Sequence, residues 1–362
     1  MALFDTLAAE GHEQVIFCWE PTVRLRAIIA IHDTTLGPAL GGVRMWPYAS
    51  EEEALQDVLR LSRAMTYKAA VAGLNLGGGK AVILGDHRTQ KTEALFRAFG
   101  RFVESLGGRY ITAEDVGTTV ADMEWIRMET RYVTGVLGKS GDPSPVTAHG
   151  VYYGMKACAK VVFGSDTLAN RTIAVQGAGN VARHLVEYLV REGAQVFVAD
   201  IYPEKARRLC DEIGGTPVGA EEIYDLPCDI FSPNALGGVL NSASIPRLRC
   251  AIVAGGANNP LADESADAQR LHERGILYAP DYVINAGGLM NVAAELTGNY
   301  DRKRVLAQAA GIYDTLLRVF RMAQEQNILP TEAAARIAEE RIAAVRALRA
   351  LNAVRSRESC CA

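Results

Sequence analysis

Apolar residues recur along the chain at two spacings, and the switch between them predicts its elements. In residues 22–32, TVRLRAIIAIH, an alternation runs into an Ile-rich stretch and predicts a strand, whereas residues 51–64 carry apolar side chains at helical spacing. From Lys68 to Ala81 the periodicity collapses into LNLGGGK, which predicts a glycine-rich loop. Residues 96–106 then resume a helix that stops at Gly107 and Gly108. The run GKSGDPSP at 138–145 is the strongest break in the chain, and a hinge is expected there.

Beyond that break strands and helices take turns. A helix is expected from about Thr147 to Val162, strands over 172–176 and 195–199 flank a helix that ends before Gly193, and short apolar runs at 229–231 and 251–254 fit further buried parallel strands. Such alternation implies a doubly wound sheet. The expected fold class is therefore α/β in two domains: mixed α/β over residues 1–140 and a Rossmann-type doubly wound domain over 141–329, with a cleft between them. After Asn285 the chain turns helical, and an Ala- and Arg-rich stretch from Thr331 to about Arg355 is expected to pack back on the first domain, its arginines on a solvated or inter-subunit face.

Composition narrows the classes. The 362 residues are 49% hydrophobic and 22% charged, an ordinary folded composition, and a net charge of −4 lacks the basic excess of a nucleic-acid surface. No apolar run approaches the roughly 18–20 residues of a membrane span, and the acids Asp5 and Glu10 do not suit a signal peptide. Seven cysteines without a C-x-x-C pair point to free thiols in a reducing cytoplasm, with Cys360 and Cys361 read as a frayed tail. The six histidines show no metal-ligand spacing, so no metal is expected.

The segment TIAVQGAGNVARHLVEYLVREGAQVFVAD carries a dinucleotide fingerprint in its full context: strand, Gly177-x-Gly179-x-x-Ala182, helix, strand, Asp200. Gly177 permits the tight turn, Gly179 admits a pyrophosphate close to the backbone, and Ala182 lets helix pack on strand. Asn180 and Val181 open the helix whose N-terminus would face the phosphates. Asp200 would bind the ribose hydroxyls and repel the extra phosphate of NADP, so NAD is the expected cofactor; a turn-capping role for Asp200 is compatible with this.

Chemistry-bearing residues in the first domain cluster around glycines. Lys80 follows three of them, which brings backbone close to something and leaves the lysine exposed at the end of a turn. The Walker phosphate loop is excluded because Ala81 follows the lysine and Leu74 holds the first glycine's place. Lys68 and Lys80, near one cleft, would depress each other's proton affinity so that one acts as a base; two independent surface lysines are the alternative. Glu114 and Asp115 follow a short strand, and a carboxylate beside such a lysine supplies the acid–base pair, although a turn or cap is the commoner role for a lone Asp115. Asn258 and Asn259 in GGANNP fall at the carboxyl edge of the sheet, where doubly wound folds bind ligands.

The strings LGPALGGVRMWPY, MTYKAAVAGLNLGGGKAVI, GRYITAEDVGTT, PSPVTAHGVYYGMKA, IAVQGAGNVA and LYAPDYVINAGG resemble, in order and over essentially the whole chain, the amino-acid dehydrogenases of the glutamate, leucine, phenylalanine and valine group. The resemblance implies that the first domain binds substrate and mediates oligomerisation, and that the protein is a homo-oligomer. It implies that Lys68 binds the substrate α-carboxylate, that Lys80 is the catalytic base, and that Asp115 shuttles protons to the substrate nitrogen. Gly41 and Asn259 would help hold the substrate, Thr147 would contact the nicotinamide carboxamide with Asn285 near the same end, and Ala235 would lie near the cofactor ribose. Leu40, Met65, Ala113, Leu289 and Val292 would line the side-chain pocket. The implied reaction is reversible, NAD-dependent oxidative deamination of an L-amino acid to the 2-oxo acid and ammonium.

Glutamate-specific members carry a lysine where this chain has Leu40, immediately before Gly41-Gly42, so an acidic substrate would bury an unpaired carboxylate and an apolar one, leucine or another branched-chain amino acid, is expected. One methylene there is worth only about 1–3 kcal/mol, which leaves phenylalanine, valine and tryptophan as alternatives. Members acting on leucine usually read P-C-A-L-G and G-A-A-N-N-Q where this chain has Pro233-Asn234-Ala235 and Gly255-Gly256-Ala257-Asn258-Asn259-Pro260, departures that bear on the ribose contacts and on the loop carrying Asn259. Leu289, where valine is common, narrows the pocket, and the loop before GDPSP is shorter than usual. Two rival readings are a catalytically silent NAD-binding homologue, which has no need of Lys68, Lys80 and Asp115 together, and a hydroxy-acid oxidoreductase, which wants a histidine and arginine pair.

Overall fold

A computed structural model describes residues 3–296 and 298–360. Two compact units emerge: Met1–Gly141 with Val292–Tyr300 and Ile337–Ala362, and Asp142–Asn291 with Asp301–Arg336. Cys361 and the side chain of Cys360 lie outside the described residues.

The first unit runs α1 (Leu3–Glu10), β1 (Gln14–Glu20), β2 (Leu25–Asp33), β3 (Ala39–Leu40), β4 (Val43–Trp46), α2 (Glu51–Val71), β5 (Gly77–Leu84), α3 (Glu93–Ser105), β6 (Tyr110–Ile111) and α4 (Val120–Arg127). Its sheet has the order β1-β2-β5-β3-β6, and β4 also pairs with β5, continuing the line of β3 after a break at Gly41-Gly42. The strand expected within residues 22–32 is β2, and a strand the apolar pattern did not announce, QVIFCWE, pairs antiparallel with it from Gln14↔Ile31 to Glu20↔Leu25. Alternate residues of β5 serve opposite layers. Ala81 and Ile83 join Ile29, Phe96 and Phe99 under α3, while Val82 joins Ile28, Val58 and Leu59 under α2. Helix α2 starts cleanly because Ser50 accepts a hydrogen bond from Glu53 N at 3.1 Å and Glu51 to Glu53 sit at the positive end of its dipole.

The second unit runs α5 (Ser144–Phe163), β7 (Thr172–Gln176), α6 (Asn180–Glu192), β8 (Gln195–Ala199), α7 (Pro203–Ile213), β9 (Thr216–Pro217), β10 (Ile230–Pro233), β11 (Ile252–Val253), α8 (Glu264–Glu273), β12 (Leu277–Tyr278) and α9 (Asp281–Ile284). All its pairs are parallel and the order is β12-β11-β10-β7-β8-β9, so the chain reverses direction between β7 and β10. That reversal is the switch point at which doubly wound sheets open a ligand crevice beyond the carboxyl ends of their strands.

Four helices complete the chain: α10 (Gly287–Glu295), α11 (Arg302–Ala310), α12 (Ile312–Gln326) and α13 (Pro330–Cys360). Ala338 and Ile342 of α13 pack with Leu36 and Ala70 of the first unit. Arg341, expected on a solvated or inter-subunit face, instead donates to Ala70 O at 3.0 Å, Leu74 O at 2.7 Å and Asn75 Oδ1 at 2.8 Å, tying α13 to the end of α2 and the turn that follows it.

Candidate active site

The glycine run before Lys80 is a strand, not a loop. A side chain at Gly77 would collide with Asp33 O, one at Gly78 with Thr66 N of α2, and one at Gly79 with the Tyr110 ring at 2.7 Å. The glycines therefore bring β5 against the protein's own backbone, and the glycine content hides the strand because it removes the side chains that carry periodicity. Lys80 is consequently buried, at 5% exposure, where an exposed lysine was expected. Gly41 repeats the pattern, since a Cβ there would collide with Gly79 O and lie 3.4 Å from Met65 Cγ, so the break between β3 and β4 sits directly beside Lys80.

Thr66 of α2 abuts Gly78, which puts Met65 and Lys68 on the helix packed over this strand. Leu40 is buried and pairs with Gly78 on one side and Ile111 on the other. Ala113 accepts a hydrogen bond from Val43 N at 2.8 Å, and Gly42 would clash with Asp115 Cβ if it carried a side chain. Leu40, Gly41, Lys80, Ala113 and Asp115 are thereby brought together in the first unit. Val292 is half-buried in α10.

Lys80 Nζ donates to Asp115 Oδ1 at 2.8 Å. Arg44 Nε holds the other oxygen, Oδ2, at 3.0 Å, and Arg44 Nη1 reaches Asp57 Oδ2 at 2.8 Å. Burial alone would push the Asp115 carboxyl up, but Lys80 and Arg44 outweigh it and hold the group below its ordinary range. Asp57 is half-buried, which pushes its carboxyl up, and is held down by the Tyr48 hydroxyl at 2.7 Å, by Arg44 and by Arg60 at 3.0 Å. Arg44, Tyr48, Asp57 and Arg60 were not anticipated as site residues. The available signal was a charged residue inside the strand VRMW, whose partner lies 71 residues away in sequence.

In the second unit the fingerprint residues meet at the switch point. Gly177 has φ +100°, and a Cβ on it would come within 2.9 Å of Asn234 and 3.1 Å of Ala235 Cβ, the residues that follow β10. Nothing lies within 4 Å of a Cβ placed on Gly179, and α6, which begins with Asn180 and Val181, has no side-chain cap. Ala182 is fully buried between helix and strand. Asp200 accepts from Ala178 N at 2.8 Å and from Tyr202 N at 2.9 Å, so it braces the glycine turn and the next helix together, and each oxygen retains lone pairs for a hydroxyl. Asn285 donates to Asn258 Oδ1 at 2.8 Å, and Asn259 N donates to Asp281 Oδ2 at 2.7 Å. Thr147 Oγ1 lies 2.7 Å from a Cβ placed on Gly288, next to the buried Leu289.

Residues 12–132 match the family described as Glu/Leu/Phe/Val dehydrogenase, dimerisation domain, and residues 204–349 match Glutamate/Leucine/Phenylalanine/Valine dehydrogenase. The leucine dehydrogenase of Geobacillus stearothermophilus is 57% identical over 352 residues, covering 96% of this chain and 95% of that protein. The chain belongs to the Glu/Leu/Phe/Val dehydrogenase family. Its members here include the L-tryptophan dehydrogenase of Nostoc punctiforme, 52% identical over 94% of this chain and 96% of that protein. A crystal structure of L-tryptophan dehydrogenase from the same organism superposes with a TM-score of 0.85 at 49% identity, covering 95% of this chain and 99% of that one. The chain is accordingly an amino-acid dehydrogenase, an oxidoreductase. The family resemblance read from the motifs and the two-domain α/β class both hold.

Two departures from the usual family strings turn out to be a single contact. Asn234 Oδ1 accepts from Gly256 N at 2.8 Å, while its amide donates to Ser232 O at 3.0 Å and Ser232 Oγ at 2.8 Å. A Cβ on residue 256 would stand 2.9 Å from that Oδ1. The asparagine and the glycine thus accommodate each other.

Proposed function

We propose that the protein catalyses the NAD-dependent, reversible oxidative deamination of an apolar L-amino acid, leucine or another branched-chain one, to the 2-oxo acid and ammonium. The observation that carries this reading is the pairing of the buried Lys80 with the half-buried Asp115 at 2.8 Å beside the Gly41-Gly42 break. Lys68 binds the α-carboxylate. Lys80 takes a proton from the water that attacks the iminium carbon, and Asp115, in direct contact with Lys80, exchanges protons with the substrate nitrogen as the carbinolamine collapses. Lys80 and Lys68 also stabilise anionic groups in a site from which Leu40 and Met65 exclude water. Leu40, with 1% exposure, leaves an acidic side chain no cation to meet and favours an aliphatic one. Relatives named for tryptophan and phenylalanine make aromatic L-amino acids the second reading.

The second unit fits NAD. Open space at Gly179, an uncapped start of α6 and the tight turn at Gly177 suit a pyrophosphate, and Asp200 suits ribose hydroxyls rather than a phosphate. When bound, the nicotinamide accepts the substrate's α-hydrogen as hydride. Thr147 and Asn285 would hold its carboxamide end, and Ala235 and Asn259 the neighbouring loops. The thiols of Cys18, Cys158, Cys210, Cys228 and Cys250 are free, which fits a reducing cytoplasm. Among the described residues no helix is long and apolar enough to cross a membrane. The dimerisation description of residues 12–132 supports a homo-oligomer. The test is absorbance at the NADH band with a panel of L-amino acids. Lys80→Ala is expected to abolish turnover while NADH still binds; undiminished turnover refutes the mechanism.

A further inference from the structure

The Lys80–Asp115 pair is one end of a row of alternating charge: Lys80, Asp115, Arg44, Asp57, Arg60. We propose that Arg44, itself fixed by Asp57, is the positioning residue that keeps the Asp115 carboxylate aligned on Lys80 for proton exchange. The proposal rests on the catalytic reading of Lys80 and Asp115 given above.

Each oxygen of Asp115 has one cation, Lys80 on Oδ1 and Arg44 on Oδ2, so the carboxylate cannot rotate without breaking a contact. The guanidinium cannot rotate either, because its planar fork spends Nε on Asp115 and Nη1 on Asp57. Asp57 is anchored in turn by Tyr48 and Arg60. Arginine does not give up its proton, so a proton on Asp115 cannot travel through Arg44 to Asp57, and exchange is confined to the Lys80 end. This matters because a cavity of about 530 Å³ opens along Arg44, Trp46, Tyr48, Asp57, Arg60 and Val116. Arg44 lines this cavity and Asp115 does not, so the guanidinium that holds the carboxylate is the one with an open side. The groups facing Asp115 are Lys80 from β5, Arg44 from β4 and Tyr110 from β6, with Asp57 and Arg60 of α2 acting through Arg44. Losing Arg44 therefore removes one of two neighbouring cations and raises the carboxyl's proton affinity.

The experiment is steady-state kinetics of Arg44→Met, Arg44→Lys and Asp57→Asn in the full chain with L-leucine and NAD, each as a pH profile. For Arg44→Met, kcat is expected to fall by roughly 100-fold, as misplacement of a reacting group does, with KM for the amino acid nearly unchanged. The acid limb of the kcat profile is expected to move up by roughly one pH unit or more. Arg44→Lys should restore the limb, because the charge returns, but not the full kcat, because the fork does not. Asp57→Asn should give a smaller change in the same direction, and it carries the test if Arg44→Met does not fold. An unmoved acid limb, with the loss confined to thermal stability or KM, overturns the proposal. Lys80→Ala separates the two failures: if it stays active the catalytic reading falls, and if it is dead while Arg44→Met keeps the parent profile, only the role of Arg44 falls.

Discussion

The Asn234–Gly256 contact makes a quantitative prediction about the loops that follow β10 and β11. Gly256 is not among the glycines with positive φ, so alanine there meets no backbone penalty and even gains roughly 0.4–1 kcal/mol by restricting the unfolded chain. Its Cβ, however, would stand 2.9 Å from Asn234 Oδ1 and 2.9 Å from Val181 Cγ1, closer than real Cβ atoms come. Asn234 cannot swing aside cheaply, because its amide is tied twice to Ser232. Overpacking of this kind costs about 1–3 kcal/mol. Asn234→Cys removes the obstructing oxygen along with the bond to Gly256 N, a loss of about 0.5–1.5 kcal/mol by itself. In the double variant the oxygen clash is gone and only the Val181 contact remains, so the two changes are coupled, with Asn234→Cys offsetting part of the harm of Gly256→Ala. The coupling is expected to be about 1 kcal/mol or more in unfolding free energy, near five-fold in the unfolding equilibrium constant. Denaturant melts of the parent, both single variants and the double variant measure it. Losses that add within roughly 0.3–0.5 kcal/mol refute the reasoning, as does a Gly256→Ala protein that is as stable as the parent.

Acid should loosen the first unit through His32. His32 is buried against Thr66 of α2, with the His12 ring 4.8 Å away, and burial, with a smaller push from His12, holds it down at about 4 from an ordinary 6.5. Between those values the unfolded chain binds a proton that the folded one refuses, so roughly 3 kcal/mol of stability, present above pH 6.5, drains away as pH falls toward 4. Tryptophan fluorescence melts report this directly, because Trp19, Trp46 and Trp125 all lie in that unit, and a melting midpoint that is flat across the window contradicts the account. Asp200→Ser is expected to narrow the preference for NAD over NADP in kcat/KM by removing the charge that repels a ribose phosphate; an unchanged ratio would detach Asp200 from cofactor choice.

How far the sequence announced all this depended on what each glycine is close to. In the second unit the order of strand, glycine turn, helix and acid could be read along the chain because buried parallel strands are continuous apolar runs, and β7 and β8 fall at the expected residues. Gly177 and Gly179 there mean what the motif says, one bent to φ +100° and the other facing open space. In the first unit the same residue type means something else. Gly77, Gly78, Gly79 and Gly41 approach Asp33, Thr66, Tyr110 and one another, so closeness to a ligand and closeness to self look identical in sequence. That ambiguity is why a strand was expected as a loop and a buried lysine as an exposed one. It also concealed Arg44, whose two carboxylate partners are set by how β4 and α2 flank β5, a tertiary fact that no local spacing records. That a carboxylate stands beside Lys80 was legible from residue types, whereas the orientation of that carboxylate was not, because orientation comes from a third and a fourth residue brought in by the sheet.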